Sequence, residues 1–192
     1  MLPPRRHPPR FHPWIGESYT RGGFGGVKIL IVGESHYSQN PEDINDAALT
    51  QKIVAHYCQG EKPLPFFKTL SCLLMGQAHR RAPELALHRR VWNAIAFYNY
   101  LQVLLQSPRC PLPAQAWEEA PEPFRCALDE LMPDIVLVAG KRLSSHIPAP
   151  QAPAVHIRHP AAFGFSYAAE LAQMNAQLPA SFAAARANFM TA

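Results

Sequence analysis

The chain is poor in cysteine, in charge and in long apolar runs, and each shortage excludes a class of protein. Its four cysteines, Cys58, Cys72, Cys110 and Cys126, include no Cys-x-x-Cys pair. That spacing argues against a zinc ribbon or a dithiol redox centre and for reduced, mostly buried thiols. No stretch approaches the ~18 consecutive apolar residues of a membrane-spanning helix. The start, Met-Leu-Pro-Pro-Arg-Arg-His-Pro-Pro, lacks the apolar segment of a secretory leader. A cytoplasmic protein with no membrane partner is expected. Charged residues make up 17% of the 192 and hydrophobic ones 48%, enough to bury one good core and too little chain for two.

The charge that is present is unevenly placed. Residues 1–28 hold five basic residues (Arg5, Arg6, Arg10, Arg21 and Lys28) against the single acid Glu17, so the whole net excess of +4 lies there. A Pro- and Arg-rich segment cannot form a helix and has little to bury. Residues 1–26 are therefore expected to be a basic arm and loop that either stays solvated or follows a phosphate backbone. The glycines of Arg21-Gly22-Gly23-Phe24-Gly25-Gly26 come before the first strand, not after it, so they read as a connector and not as a phosphate-binding fingerprint.

Residues 27–192 read as one domain. Apolar runs at about 27–32, 94–98, 135–139 and 154–157 predict strands. Helical periodicity predicts helices from Pro41 through Tyr57, over 65–75, within the basic stretch 79–90, near 123–131, and from Tyr167 to about Phe189 with a break at Pro179. Strands alternating with helices imply a three-layer α/β/α sandwich with a mostly parallel four-stranded sheet.

In such a sheet the carboxyl ends of the strands rim the ligand crevice. The first strand runs into Gly33-Glu34-Ser35-His36-Tyr37, the second into Asn99, the third into Gly140-Lys141-Arg142, and the fourth into Arg158-His159-Pro160-Ala161-Ala162-Phe163-Gly164-Phe165. These ends are expected to share one small-molecule or nucleobase pocket. The amide of Asn99 offers a donor and an acceptor side by side, as reading a base edge requires, or else it caps its strand end. His159 reads as a functional imidazole or a turn residue. Phe163 and Phe165 read as loop-tip or core aromatics, and Tyr37 as a pocket wall or core residue.

The order and placement of these motifs resemble the uracil-DNA glycosylase superfamily over about residues 27–170. Gly33 and Tyr37 match the ends of that family's first motif, Gly-x-(Asp/Asn)-Pro-(Tyr/Gly). Asn99 falls where the family has a base-reading Asn, and His159-Pro160 matches the start of its second motif. The resemblance implies a glycosylase-like fold and a flipped base held among Gly33, Ser35, Tyr37 and Asn99, with Phe163 or Phe165 as the wedge filling the vacated stack. It implies that Glu34 or His36 orients water while His159 stabilises charge on the departing base. DNA, damaged or single-stranded, is the implied partner. Arg5, Arg6, Arg10, Arg80, Arg81, Arg89 and Arg90, with Lys141, Arg142 and Arg158 nearer the pocket, would contact its backbone. No metal or organic cofactor is implied.

The sequence departs from the pattern in ways that bear on chemistry. Ser35 stands where the family has Asp or Asn, and a hydroxyl is no general base at neutral pH without help. Ala161 and Ala162 replace the Ser-Pro type residues of the second motif. Glu at the second position also occurs in the family's iron–sulfur branch, but no cysteine precedes Cys58 to supply that branch's upstream pair. The Cys110 and Cys126 spacing resembles its second pair, and half a site holds no cluster. Removal of a deaminated base such as uracil or hypoxanthine is the leading expectation. A module that binds nucleic acid or a nucleobase without chemistry is the rival that Ser35 favours, and a hydrolase of nucleotides or small glycosides is the third.

Overall fold

The computed structural model describes residues 7–61, 64–78, 84–108 and 110–191. The strands are β1 (Trp14–Ile15), β2 (Ile29–Gly33), β3 (His36–Tyr37), β4 (Ala96–Asn99), β5 (Leu104–Leu105), β6 (Ile135–Ala139) and β7 (Ala154–Ile157). The helices are α1 (Leu49–Gln59), α2 (Pro65–Leu74), α3 (Leu85–Asn93), α4 (Ala114–Glu119), α5 (Pro121–Leu131), α6 (Lys141–Ser144), α7 (Tyr167–Gln177) and α8 (Ser181–Thr191).

The fold is α/β, built on a mixed five-stranded sheet in the order β1-β4-β2-β6-β7. β2 and β6 are buried along their whole length because apolar side chains leave both faces of the sheet. Alternation divides them. Ile29, Ile31, Leu137 and Val155 pack with Val54 of α1, Phe67 of α2, Val91 of α3 and Met174 of α7. Leu30, Val32, Val136 and Val138 pack on the other face with Ala116 of α4, Phe124 of α5 and Leu143 of α6. Short parallel β3 and β5 form a separate ladder. Helix ends carry local signals: Pro65 opens α2, Gly60 closes α1 in the left-handed region, and the Ser166 hydroxyl accepts from the Ala169 N–H at 3.3 Å to cap α7.

The four expected strands are present and mutually parallel. The sheet nevertheless has five strands, because β1 adds antiparallel to β4. Residues 11–26 are thus no solvated arm. Phe11, Tyr19 and Phe24 are buried; the Trp14 indole donates to the Trp92 carbonyl at 2.8 Å and the Tyr19 hydroxyl to the Leu131 carbonyl at 3.1 Å. Aromatic anchors spaced along a Pro- and Gly-rich segment bury without forming a periodic element.

The helix expected from Pro41 to Tyr57 is two pieces, a 3₁₀ turn at Pro41–Asn45 and then α1. Asp46 breaks it by accepting the Ala48 N–H on its own side chain at 3.0 Å. The second expected strand begins two residues later than its apolar run and takes in Asn99. α3 begins at Leu85 and buries His88, Val91 and Trp92, so it is not simply an exposed helix. No helix among the described residues is long and apolar enough to cross a membrane.

Candidate functional site

Gly33 and Asn99 are register partners at the ends of neighbouring parallel strands. The Tyr100 and Leu101 N–H groups donate back to the Gly33 and Glu34 carbonyls at 2.9 and 2.8 Å, holding the two strand exits together. A Cβ on Gly33 would lie 2.4 Å from Asn99 Oδ1 and 3.1 Å from the Phe97 ring, so only glycine leaves the amide its place. Asn99 is buried. Its backbone carbonyl accepts from Gln102 Nε2 at 2.6 Å, while its side-chain amide has no hydrogen bond among the described residues.

The amide faces a cavity of about 340 Å³ at the carboxyl edge of the sheet. Glu34, Asn99 and His159 are joined there by Ser35, His36, Tyr37 and Thr50 as polar lining, and Ile53, Phe66 and Phe97 form much of the apolar wall. His159 lies two residues beyond the end of β7, and its ring packs against Phe66 at 5.3 Å between centroids. His159 Nδ1 accepts the Ala161 N–H at 3.2 Å, so the neutral ring carries its proton on Nε2. Desolvation by this packing lowers the imidazole pKa; Glu34 opposes that shift and Arg142 reinforces it. The result is a neutral donor at the pocket.

Glu34 is not free. Arg142 Nε donates to its Oε2 at 2.8 Å and Nη2 to its Oε1, a two-pronged bridge reaching from α6. The carboxylate in turn raises the guanidinium pKa. Arg142 is therefore bound to a pocket residue instead of standing open for phosphate.

His36 is buried against Phe11, with ring centroids 4.6 Å apart, and its Nε2 pairs with Thr50 Oγ1 at 2.8 Å. Burial drives its pKa down to about 4, which makes it too weak a base to take a proton from water near neutrality. It serves as pocket wall. Its Nδ1 and the Ser35 hydroxyl are buried without a hydrogen-bond partner among the described residues.

Tyr37 stands at the mouth, 38% exposed. Phe163 is 99% exposed on the loop beyond His159, whereas Phe165 packs on the core, so the two aromatics divide the roles the sequence left open. Arg158 turns back onto that loop, its guanidinium donating to the Phe163 and Gly164 carbonyls at 3.3 and 3.4 Å, with Glu170 at 3.9 Å behind it. It braces the loop. Arg10 donates to the Ile44 carbonyl at 2.5 Å and lies over the Phe11 ring, and Lys141 is exposed without a partner among the described residues. Arg5, Arg6, Arg80 and Arg81 lie outside the described residues.

Sequence reasoning missed the opposite wall: Thr50 and Ile53 of α1 and Phe66 and Phe67 of α2. The residue pattern did not single them out: adjacent residues of one helix can both enter the core, as Leu73 and Leu74 of α2 do, so the Phe66-Phe67 pair reads as core packing until the fold sets it beside the strand ends. Cys58 and Cys72 are buried and Cys110 and Cys126 half-buried, all as reduced thiols, and burial lifts the Cys58 pKa to about 11. Among the described residues no three His, Cys, Asp or Glu side chains cluster as metal ligands would.

No family model, curated protein or solved structure matches this chain. Any assignment therefore rests on the residues at the strand ends and on their geometry.

Proposed function

We propose that this pocket takes a flipped nucleobase, and that the protein hydrolyses the N-glycosidic bond of a deaminated base, uracil or hypoxanthine, in DNA. One observation carries the reading. An Asn99 amide without a hydrogen bond among the described residues and the Nε2–H of a neutral His159 line one aromatic-walled cavity. A base would stack on the Phe66 side and present its edge to Asn99, whose donor and acceptor suit a lactam. As the bond between base nitrogen and sugar carbon breaks, its electron pair leaves with the base and His159 Nε2–H donates to the developing anion. Water adds to the cationic sugar carbon and gives up a proton, with the Glu34 carboxylate as the nearest candidate acceptor. The scheme needs no metal or cofactor.

Four parallel strands with helices on both faces, and the motif residues at one sheet edge, support the glycosylase-like architecture that the motifs suggest. Phe163, fully out in solvent on a braced loop, suits the wedge. Lys141 beside the pocket, with Arg5, Arg6, Arg80 and Arg81, would meet phosphates.

A second reading, a module that binds a base without cleaving it, is favoured by one observation. Arg142 occupies both oxygens of the carboxylate that would accept the proton. Incubation with single- and double-stranded oligonucleotides carrying uracil, hypoxanthine or xanthine, scored for abasic sites and for binding, separates the two. Cleavage supports the enzyme, and base-selective binding without cleavage supports the module. Equal action on free nucleosides would favour a small-glycoside hydrolase.

A further inference from the structure

Glu34 and Arg142 suit two jobs at this site, a carboxylate beside the sugar and a guanidinium on the backbone, yet they occupy each other. We propose that Arg142 is the phosphate-binding group of the pocket and exchanges Glu34 for a substrate phosphodiester. The exchange frees the carboxylate, so the substrate is a base carried on a phosphodiester chain and not a free nucleoside. The inference rests on the nucleobase reading above.

The pair is asymmetric in a way that suits exchange. The Arg142 side chain is 58% exposed, whereas that of Glu34 is 13% exposed on the pocket side. Substrate arriving from solvent meets the guanidinium first. The planar fork that grips a carboxylate by two parallel hydrogen bonds grips a phosphate equally well, so the incoming group competes for the same Nε and Nη2 donors. Lys141, adjacent and unpaired among the described residues, adds a second positive charge that favours a polyanion over one carboxylate. Tyr37 lies close enough to Arg142 to influence its ionisation, and is itself at the pocket mouth. Phosphate and base would therefore arrive at adjoining positions.

The consequence is selectivity without base contacts. A free nucleoside fills the cavity but leaves Glu34 clamped, and a nucleotide in a chain unclamps it. Spontaneous activity on the cell's nucleoside pool is thereby suppressed.

Carbon-13 NMR of the full chain labelled at Glu, with the Glu34 carboxylate assigned through Glu34→Gln, tests the exchange directly. The probes are a short oligonucleotide whose uracil is joined to the sugar by a carbon–carbon bond, which is not hydrolysed, and the matching free nucleoside. The oligonucleotide is expected to move the Glu34 resonance to the position it has in Arg142→Gln, and the nucleoside to bind without doing so. A Glu34 resonance unmoved at oligonucleotide saturation overturns the exchange while leaving the nucleobase pocket standing. If neither probe moves any pocket resonance, the nucleobase reading falls and the exchange with it. In turnover of a uracil oligonucleotide, Arg142→Gln should raise KM at least ~10-fold, since it removes a pair of charge-assisted hydrogen bonds, without lowering kcat. A fall in kcat at unchanged KM also overturns the proposal.

Discussion

Asn99 keeps its amide in place because Gly33 has no side chain, and that dependence makes the pair testable. Gly33→Ala places a Cβ 2.4 Å from Asn99 Oδ1, so the amide must turn. Binding of a uracil-type base should weaken at least ~10-fold, the scale of a single bidentate hydrogen-bonded pairing with a base edge. Titration of the protein with a non-cleavable uracil nucleotide measures it, and an unchanged affinity would remove Asn99 from base reading. His36 has a different signature. Its folded pKa of about 4 lies below the ordinary value of 6.5. Between those values the unfolded chain binds a proton that the native state refuses, so stability falls as pH drops from 6.5 to 4, and this group costs nothing further below that. The loss is roughly 3 kcal/mol. Urea midpoints across pH 4–7 should show it in the parent and not in His36→Gln, and parallel curves for the two would mean that His36 is solvated.

At the scale of elements, the segment before β2, which includes β1, is structural. Phe11→Ala should cost about 3 kcal/mol by urea denaturation, as for other buried aromatics. Deleting residues 1–20 should cost more, because it removes β1 and the Trp14 and Tyr19 hydrogen bonds with it. A truncated chain as stable as the parent would contradict the packing described. This segment shows why part of the fold was hidden in the sequence. Runs such as Ile29-Leu30-Ile31-Val32 and Ile135-Val136-Leu137-Val138 announce strands, since β-branched residues buried on both faces suit little else. Two-residue strands like β1, β3 and β5 are too short to carry any period. Arginines mislead for a related reason. Arg89 donates to the Cys58 carbonyl at 2.5 Å at the end of α1, Arg90 to the Phe189 carbonyl in α8, and Arg186 to the Leu74 carbonyl at 2.8 Å at the end of α2. Composition alone does not separate an arginine that satisfies a helix end from one that meets a phosphate.

At the scale of the whole molecule, the four parallel strands of the mixed sheet gather Gly33, Glu34, Asn99 and His159 at one edge, and this much of the site was legible from motifs that follow apolar strands. The Glu34–Arg142 bridge was not legible, because it joins residues 108 apart whose pairing only the sheet order creates. Charge outside the pocket is expected to supply affinity without sequence preference. The double change Arg5→Ala and Arg6→Ala should flatten the dependence of log affinity on log salt by up to about 0.7 to 0.9 for each phosphate left without its cation. An unaltered slope would take the first residues out of DNA binding. The central proposal is that the cavity holding Asn99 and His159 takes a deaminated base and that the bond joining this base to its sugar is cleaved there, and abasic-site formation tests it most directly. The full chain should release uracil or hypoxanthine from an oligonucleotide, leave the undamaged strand intact, and slow at least ~10-fold in His159→Ala, the low end for loss of one charge-stabilising donor. Intact oligonucleotides throughout, or equal rates in the parent and a folded His159→Ala protein, would contradict it.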